Sequence, residues 1–122
     1  MALLEAGQFG GAIWVAGVAV EALFRAYHRR RSDQLDTGHD LKSLYRASRF
    51  GQHISAGHME RIADAIGIVI AGWRHRYRYD PAKAIQRTLE ARPDQLGRRA
   101  RLIVDAAQEV VSHGVSRWDS KP

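Results

Sequence analysis

The chain has 122 residues, of which 45% are hydrophobic, enough for one core and for a single domain spanning residues 1–122. Charged residues make up 26%, a globular proportion that argues against a wholly disordered chain. The absence of cysteine excludes disulfides, thiolate zinc sites and cysteine nucleophiles, and it fits a reducing, cytoplasmic setting.

Basic residues outnumber acidic residues by 19 to 13, which gives a formal net charge of +6, and 16 of the basic residues are arginine. Guanidinium groups pair with phosphates in a bidentate manner and stack on bases, which ammonium groups do not. This excess predicts attraction to nucleotides, nucleic acid or an acidic protein. The alternative is that the arginines form only the solvated surface of a soluble protein.

The most apolar stretch, from Gly10 to Val20, has 11 residues before Glu21 interrupts it. A membrane span needs about 20 apolar residues. No basic segment precedes the stretch, as it does in a secretory signal. We therefore expect a soluble, cytoplasmic protein.

The first half of the chain predicts helices, because apolar residues recur three and four positions apart and the first 80 residues contain no proline. A short helix is predicted at Leu3 and Leu4, with a kink or break at Gly10-Gly11. The next helix ends in the polar run at residues 28–31. Its apolar residues are Ile13, Ala16, Val20, Leu23, Phe24 and Tyr27.

A polar loop at residues 32–38 precedes a short helix with Leu41, Leu44 and Tyr45, for which Asp40 or Thr37 is the candidate N-cap.

The second half predicts a longer helix from Met59 to Trp73, stopped or redirected at residues 79–81, a small helix at residues 82–89 and a final helix through Leu102 and Val111. No segment alternates apolar and polar residues long enough for a strand. The sum is an all-α, up-and-down bundle of four principal helices with one or two short extra helices.

The sequence lacks a nucleophile elbow, a P-loop, a dinucleotide-binding glycine motif and a zinc-protease motif. His53 and His58 are five positions apart, which places them on different faces of a helix. We therefore predict no metal site and no cofactor.

Two polar pairs nevertheless indicate chemistry. Glu21 and Arg25 lie four positions apart on an apolar helix and project to the same side, either as part of a site or as a plain ion pair. His39 precedes Asp40 where a loop enters a helix, so it is placed to contact a ligand or to transfer protons near neutral pH. The alternative is that Asp40 only caps the helix and that His39 merely precedes it.

A third feature, the segment WRHRYRY at residues 73–79, alternates aromatic and basic residues at a helix end. Such a pattern lets aromatic rings stack on bases while arginines hold phosphates. The alternative is a helix C-terminus whose charges complement the helix dipole, with Trp73 and one tyrosine in the core.

Together these features resemble the HEPN (higher eukaryotes and prokaryotes nucleotide-binding) domain family. Residues 16–26, AGVAVEALFRA, are similar to its A-G-x-A-V-E-x-x-L-K-A helix signature, although Arg25 stands where lysine is commoner. Residues 38–41, GHDL, resemble the start of its next helix, and Trp73 with Arg78-Tyr79 resembles the W-x4-R-Y that closes its long helix. The resemblance covers about residues 10–79.

The resemblance implies a helical bundle, often a homodimer, that binds a nucleotide or RNA, frequently beside a nucleotidyltransferase partner in toxin–antitoxin or other defence systems. Arg25 and Arg78 would hold phosphate, and Trp73 and Tyr79 would shape the site or stack on a base. Glu21 would orient the arginines, and His39 with Asp40 would fix the loop and contact the ligand. This reading requires Glu21, His39 and Arg78 to converge.

Some members of the family are metal-independent ribonucleases with an R-x4-6-H motif on the last long helix. The one match here, Arg46 to His53, lies elsewhere, and chance placement alone predicts about two matches. The leading hypothesis is therefore a non-catalytic binding module. The alternatives are a ribonuclease, with His39, Arg46 and His53 as candidate catalytic residues, and a structural adaptor that binds no nucleotide.

Overall fold

Four α-helices form the described part of the chain in the computed structural model, which covers residues 9–31, 40–73 and 95–119. The helices are α1 (Phe9–Arg31), α2 (Leu41–Ser48), α3 (Met59–Gly72) and α4 (Leu96–Ser116). Two 3-10 turns, Phe50–His53 and Ala56–His58, connect α2 to α3. These ranges contain no strand, so the predicted all-α bundle is confirmed. The predicted helices at residues 3–4 and 82–89 and the loop at 32–38 lie outside the described residues.

Helix α1 is the central element, because it packs against both α2 and α4, and α4 in turn packs against α3. The apolar stripe predicted for α1 is its buried face: Ile13, Val20 and Phe24 have no exposed surface. Burying such a side chain stabilises a fold by about 1.5–3 kcal/mol. The buried faces of α3 and α4 complete the core with Ile62, Val69, Val104 and Val110.

An aromatic cluster joins α1 to its neighbours near the C-terminal end of the helix. The Phe24 ring lies 5.3 Å from those of Tyr45 and Phe50, and the Tyr27 ring lies 5.0 Å from that of Phe50, all between centroids. The buried Tyr27 hydroxyl donates a hydrogen bond to the Gly114 carbonyl at 2.7 Å. This bond ties α1 to the last turn of α4.

Of the predicted kink or break at Gly10-Gly11, the break is wrong, because α1 (Phe9–Arg31) includes both glycines. A glycine in a helix costs about 1 kcal/mol relative to alanine. The core contacts of Ala12, Ile13 and the following turns outweigh that cost.

The predicted extent of the third helix is also wrong at its C-terminal end. Helix α3 ends at Gly72, and Trp73 adopts an extended backbone with φ −102° and ψ 140°. The Trp73 amide still donates to the Val69 carbonyl at 2.9 Å, so the last helical turn is complete. The helix ends here because the Trp73 side chain turns onto α1, where it is buried.

The segment Phe9–Arg30 of α1 is the one helix among the described residues that is long and apolar enough to cross a membrane. This is weak evidence, because a core helix of a soluble protein passes the same test. Only 33% of its most apolar 18-residue window is buried, so much of its apolar surface lies outside the core.

Candidate functional site

Glu21 and Arg25, the first predicted site residues, form the expected pair on α1. The Arg25 Nε lies 3.7 Å from the Glu21 Oε1, and the side chains are 31% and 17% exposed for Arg25 and Glu21 respectively. A half-exposed pair at this spacing stabilises a helix by a few tenths of a kcal/mol, roughly 0.2–0.5 kcal/mol. It leaves both charged groups accessible to a ligand in part.

The Trp73 ring packs on α1 at Gly17, one helical turn before Glu21. The ring is buried, and only 3% of the residue is exposed. The indole Nε1 donates to the Trp14 carbonyl at 3.2 Å. The ring lies directly on the backbone of Gly17, where no side chain intervenes. The structure therefore places Trp73 in the core, as the packing alternative predicts, and this burial leaves no ring face open for stacking on a base.

Asp40 caps α2, as the sequence predicts. Its Oδ1 accepts from the Ser43 amide at 2.7 Å, and its Oδ2 accepts from the Ser43 hydroxyl at 2.8 Å. The Ser43 amide bond is the main reason that the pKa of Asp40 lies below its ordinary value. Both carboxylate oxygens of Asp40 are thus used in capping the N-terminus of α2.

His39, Arg78 and Tyr79 lie outside the described residues. Their predicted convergence with Glu21 therefore stays a prediction.

Arg46 and His53, the one match to the ribonuclease motif, lie in different environments. Arg46 is exposed on the last turn of α2, whereas His53 is buried, with its ring 4.7 Å from that of Tyr27. The His53 carbonyl accepts from the Arg117 Nε at 3.1 Å. In the described structure His53 is thus part of the aromatic cluster rather than of an exposed surface shared with Arg46.

A pair of histidines that the sequence analysis did not identify lies where the turn before α3 meets α4. The rings of His58 and His113 are 5.5 Å apart between centroids. The Ser55 hydroxyl lies 2.7 Å from the His58 Nδ1, and the Ser55 amide donates to the His113 Nε2 at 3.3 Å. Because Nε2 accepts this bond, the proton of the neutral His113 ring is on Nδ1.

A polar cleft of about 530 Å³ opens beside His113. Arg61 and Glu109 line it and form an ion pair at 2.9 Å, and because both side chains are exposed, the pair adds little stability. Asp105 also lines the cleft, so its charges are mixed rather than uniformly basic. Within the described ranges no group of three or more histidine and carboxylate residues is placed to hold a metal ion.

The pKa of His113 is lowered from its ordinary value of 6.5, first by burial and then by the charges of His58, Arg117 and Arg61. The folded protein thus disfavours the protonated ring more than the unfolded chain does. The stability that His113 contributes is fully present above pH 6.5 and is lost as the pH falls below that value through the lower pKa of the folded state.

We therefore expect the melting temperature to fall between pH 7 and pH 5, and His113→Gln to weaken this dependence. Thermal melts followed by circular dichroism at both pH values measure it. The control is Ser112→Ala, which changes a cleft residue that does not titrate and should keep the pH dependence. An equal pH dependence in wild type and His113→Gln contradicts the assignment.

A basic surface, which we call the basic end face, lies where the C-terminal ends of α1, α2 and α4 meet. The His28 Nδ1 lies 3.2 Å from the Ala47 carbonyl oxygen, which brings the ends of α1 and α2 together. The Trp118 ring lies 5.0 Å from that of Tyr27, which brings in the end of α4. The face consists of Arg29, Arg30, Arg46, Arg49 and Trp118.

The four arginines of the basic end face are all exposed. The Arg30 guanidinium stacks over the Trp118 ring at 4.2 Å, and its Nη1 donates to the Trp118 carbonyl. Three converging helix C-termini present partial negative charge, which these basic groups complement. The sequence offers the run at residues 28–31 as a signal for this face, but the approach of α2 and α4 depends on the tertiary fold.

No family model matches the chain, and no match is found among curated proteins or solved structures.

Proposed function

We propose that this protein is a binding module for RNA or a nucleotide and that the basic end face holds the phosphates. The observation that carries the proposal is that three helix ends meet, and that Arg29, Arg30, Arg46 and Arg49 at these ends are each exposed. Guanidinium groups are well suited to phosphate oxygens. Asp119, next to Trp118, is the one acidic residue at these three described helix ends, so the four arginines outweigh the negative charge there.

Trp118 adds an aromatic group to this surface. It is 36% exposed and already carries the Arg30 guanidinium on its ring. Proteins that bind single-stranded nucleic acid combine such rings with basic groups that track the backbone. The net charge of +6 and the predominance of arginine support the same ligand class.

The resemblance to HEPN domains supports this ligand class independently and extends the proposal to a cytoplasmic module of a defence or toxin–antitoxin system with a nucleotidyltransferase partner. In this extended form, the resemblance adds Arg25, Arg78 and Tyr79 as further ligand-binding residues, of which the structure describes Arg25.

The proposal predicts that Arg29→Gln/Arg46→Gln weakens the binding of a fluorescein-labelled, 20-nucleotide single-stranded RNA about tenfold. It also predicts a salt dependence of log Kd that is flatter by about 1.4, because two phosphate contacts are lost at about 0.7 each. Fluorescence anisotropy at salt concentrations between 50 and 200 mM measures both quantities.

The matched control is Arg98→Gln/Arg101→Gln, which removes the same charge from exposed positions at the N-terminal end of α4. If both double variants lose the same RNA affinity, the RNA is attracted only by the overall charge of the protein. That result contradicts the assignment to the basic end face. If Arg25→Gln weakens RNA binding and Arg29→Gln/Arg46→Gln does not, the RNA binds at the site predicted from the sequence around Glu21 and Arg25 instead. Wild-type protein that does not bind the RNA supports the adaptor alternative.

A ribonuclease is the second candidate, and the observation that favours it is the approach of His58 and His113 beside Arg61 rather than the Arg46–His53 motif. Two imidazoles can serve as general base and general acid in metal-free phosphodiester cleavage. The same RNA, incubated with the protein in EDTA and separated on a gel, tests it. Cleavage that His58→Ala abolishes and that the exposed change Glu60→Gln on α3 retains supports this candidate, and intact RNA contradicts it.

A further inference from the structure

A groove of about 360 Å³, hereafter the α3–α4 groove, lies between α3 and α4. One stripe of each helix lines it at spacings of three and four positions, within residues 61–68 of α3 and residues 102–109 of α4. Each stripe is about 10 Å long, which is two helical turns. The rings of His58 and His113 meet just beyond one end of the stripes, where the start of α3 reaches the last turns of α4. The two helices therefore run antiparallel along the groove.

The floor of the α3–α4 groove consists of small residues. Ala65 and Ala106 are buried, with 3% and 5% of their surfaces exposed, and their short side chains leave a depression between the helices. Leu102 lines one side of this depression and is 50% exposed, and the half-buried Ile68 lines the other. The groove thus offers apolar surface that the side chains of a partner can cover.

Carboxylates stand on both rims of the α3–α4 groove. Asp64 on α3 and Asp105 on α4 are exposed, and neither forms an ion pair within the part of the chain that the structure describes. Glu109 is a third carboxylate, and Arg61 is the one basic residue among the described lining residues. The lining therefore has an excess of negative charge on a chain whose net charge is +6.

We propose that the α3–α4 groove binds a basic amphipathic helix of a partner protein. Aliphatic residues on one side of that helix cover Leu102 and the alanine floor, as in other complexes in which a helix docks in an apolar groove. Lysine or arginine residues on either side of the aliphatic stripe pair with Asp64 on one rim and Asp105 on the other. The trough between two antiparallel helices accepts a third helix in the manner of a helical bundle.

Charge complementarity selects this occupant. A nucleic acid or an acidic helix would bring negative charge against Asp64 and Asp105, which is unfavourable. A basic helix is repelled by the net positive charge of the rest of the protein and attracted by these rims, so the charges both attract it and orient it. The inference is independent of the proposed phosphate ligand, because the α3–α4 groove shares no residue with the basic end face.

The probe is a synthetic, fluorescein-labelled peptide with the sequence ALKAKLAALKAKLA. Its leucines form one helical stripe, and its lysines lie on both sides of that stripe. The comparison peptide, ALEAELAALEAELA, keeps the leucines and reverses the charge. Fluorescence anisotropy with the full chain should show saturable binding of the basic peptide with a Kd below about 100 μM, and the acidic peptide should bind at least about tenfold more weakly.

The charge on the rims is tested by Asp64→Asn/Asp105→Asn. This variant should weaken the binding of the basic peptide about tenfold in low salt, because two ion pairs are lost. The difference should shrink to about twofold in 500 mM salt, where the Debye length is about 4 Å. The matched control is Ala63→Lys/Gly67→Lys on the exposed side of α3, which changes the net charge by the same amount outside the groove and should bind nearly as wild type does.

The apolar part of the groove is tested by Leu102→Ala, which should weaken the binding of the basic peptide about fivefold. The control is Val115→Ala, which shortens an exposed apolar side chain of α4 outside the groove and should keep the affinity. Far-UV circular dichroism verifies that each variant retains its helices. Both Leu102 and Val115 are exposed, so neither substitution removes a core contact.

Four results overturn the proposal. The first is the absence of binding of the basic peptide up to 1 mM, and the second is equal binding of the basic and acidic peptides, which indicates apolar adhesion alone. The third is an equal loss in Asp64→Asn/Asp105→Asn and Ala63→Lys/Gly67→Lys, which indicates a response to net charge. The fourth is a dimer of the wild-type chain in sedimentation velocity that Leu102→Ala abolishes, which assigns the groove to a second copy.

Discussion

Replacing Gly17 with alanine is expected to destabilise the fold by about 3 kcal/mol, the upper end of the usual range for overpacking. A methyl group built on Gly17 overlaps the Cδ1, Cγ and Nε1 atoms of Trp73. The indole has little room to move, because it is 3% exposed and its Nε1 is bonded to the Trp14 carbonyl. The protein must therefore either strain the contact between α1 and Trp73 or release the ring from the core. Each alternative lowers the free energy of unfolding. Urea unfolding measures the effect.

The matched control for this prediction is Gly67→Ala on α3, where an added methyl meets no atom within 4 Å. The lower chain entropy of alanine should stabilise this variant by roughly 0.5–1 kcal/mol. A double-mutant cycle adds a second test, because Gly17→Ala should cost little once Trp73→Ala has removed the ring. Equal effects of Gly17→Ala and Gly67→Ala would contradict the packing argument.

The helices and their buried faces could be predicted from the sequence because they depend on local periodicity. The stripe through Ile13, Val20 and Phe24 needs only its spacing to be recognised, and Asp40 as an N-cap needs only its position before Leu41. The end of α3 could not be predicted in this way. It depends on where Trp73 packs, and its partner Gly17 lies 56 positions away in the sequence.

The candidate site likewise combines features that local spacing predicts with features that only the tertiary fold determines. Glu21 and Arg25 could be predicted to pair because both lie on one helix four positions apart. The approach of His58 to His113 depends on how the turn before α3 meets α4, and no local pattern encodes it. The burial of His53 likewise depends on its contact with Tyr27. A spacing rule that matches Arg46 to His53 cannot detect that one side chain faces solvent and the other faces the core.

The basic end face shows how a local signal acquires its role through tertiary contacts. From the sequence alone, the run at residues 28–31 predicts a basic helix end that complements the helix dipole. In the fold, α2 adds Arg46 and Arg49 to it, and α4 adds Trp118. The side chains that complement three helix dipoles are therefore also those of the proposed phosphate-binding surface, and Tyr27 beneath them holds the helices together.

Tyr27→Ala is accordingly expected to cost about 3–5 kcal/mol and to weaken RNA binding as well. The ring lies within 5.0 Å of those of Phe50, His53 and Trp118, so its loss leaves a cavity under the basic end face. Tyr27→Phe fills that cavity but leaves the buried Gly114 carbonyl without its donor, at a cost of about 1–3 kcal/mol. This carbonyl is in the last turn of α4, where helical partners are absent.

The two substitutions at Tyr27 separate packing from hydrogen bonding. Tyr27→Phe should lower the free energy of unfolding yet keep the RNA affinity, because Trp118 retains its edge-on contact with the ring. Tyr27→Ala should lower both, because Trp118 and the Arg30 stacked on it lose their support. Urea unfolding and anisotropy with the labelled RNA measure the two effects. The control is Tyr45→Phe on α2, which should change stability by only a few tenths of a kcal/mol, roughly 0.5 or less. If Tyr27→Phe destabilises no more than Tyr45→Phe, the bond to Gly114 does not stabilise the end of the bundle.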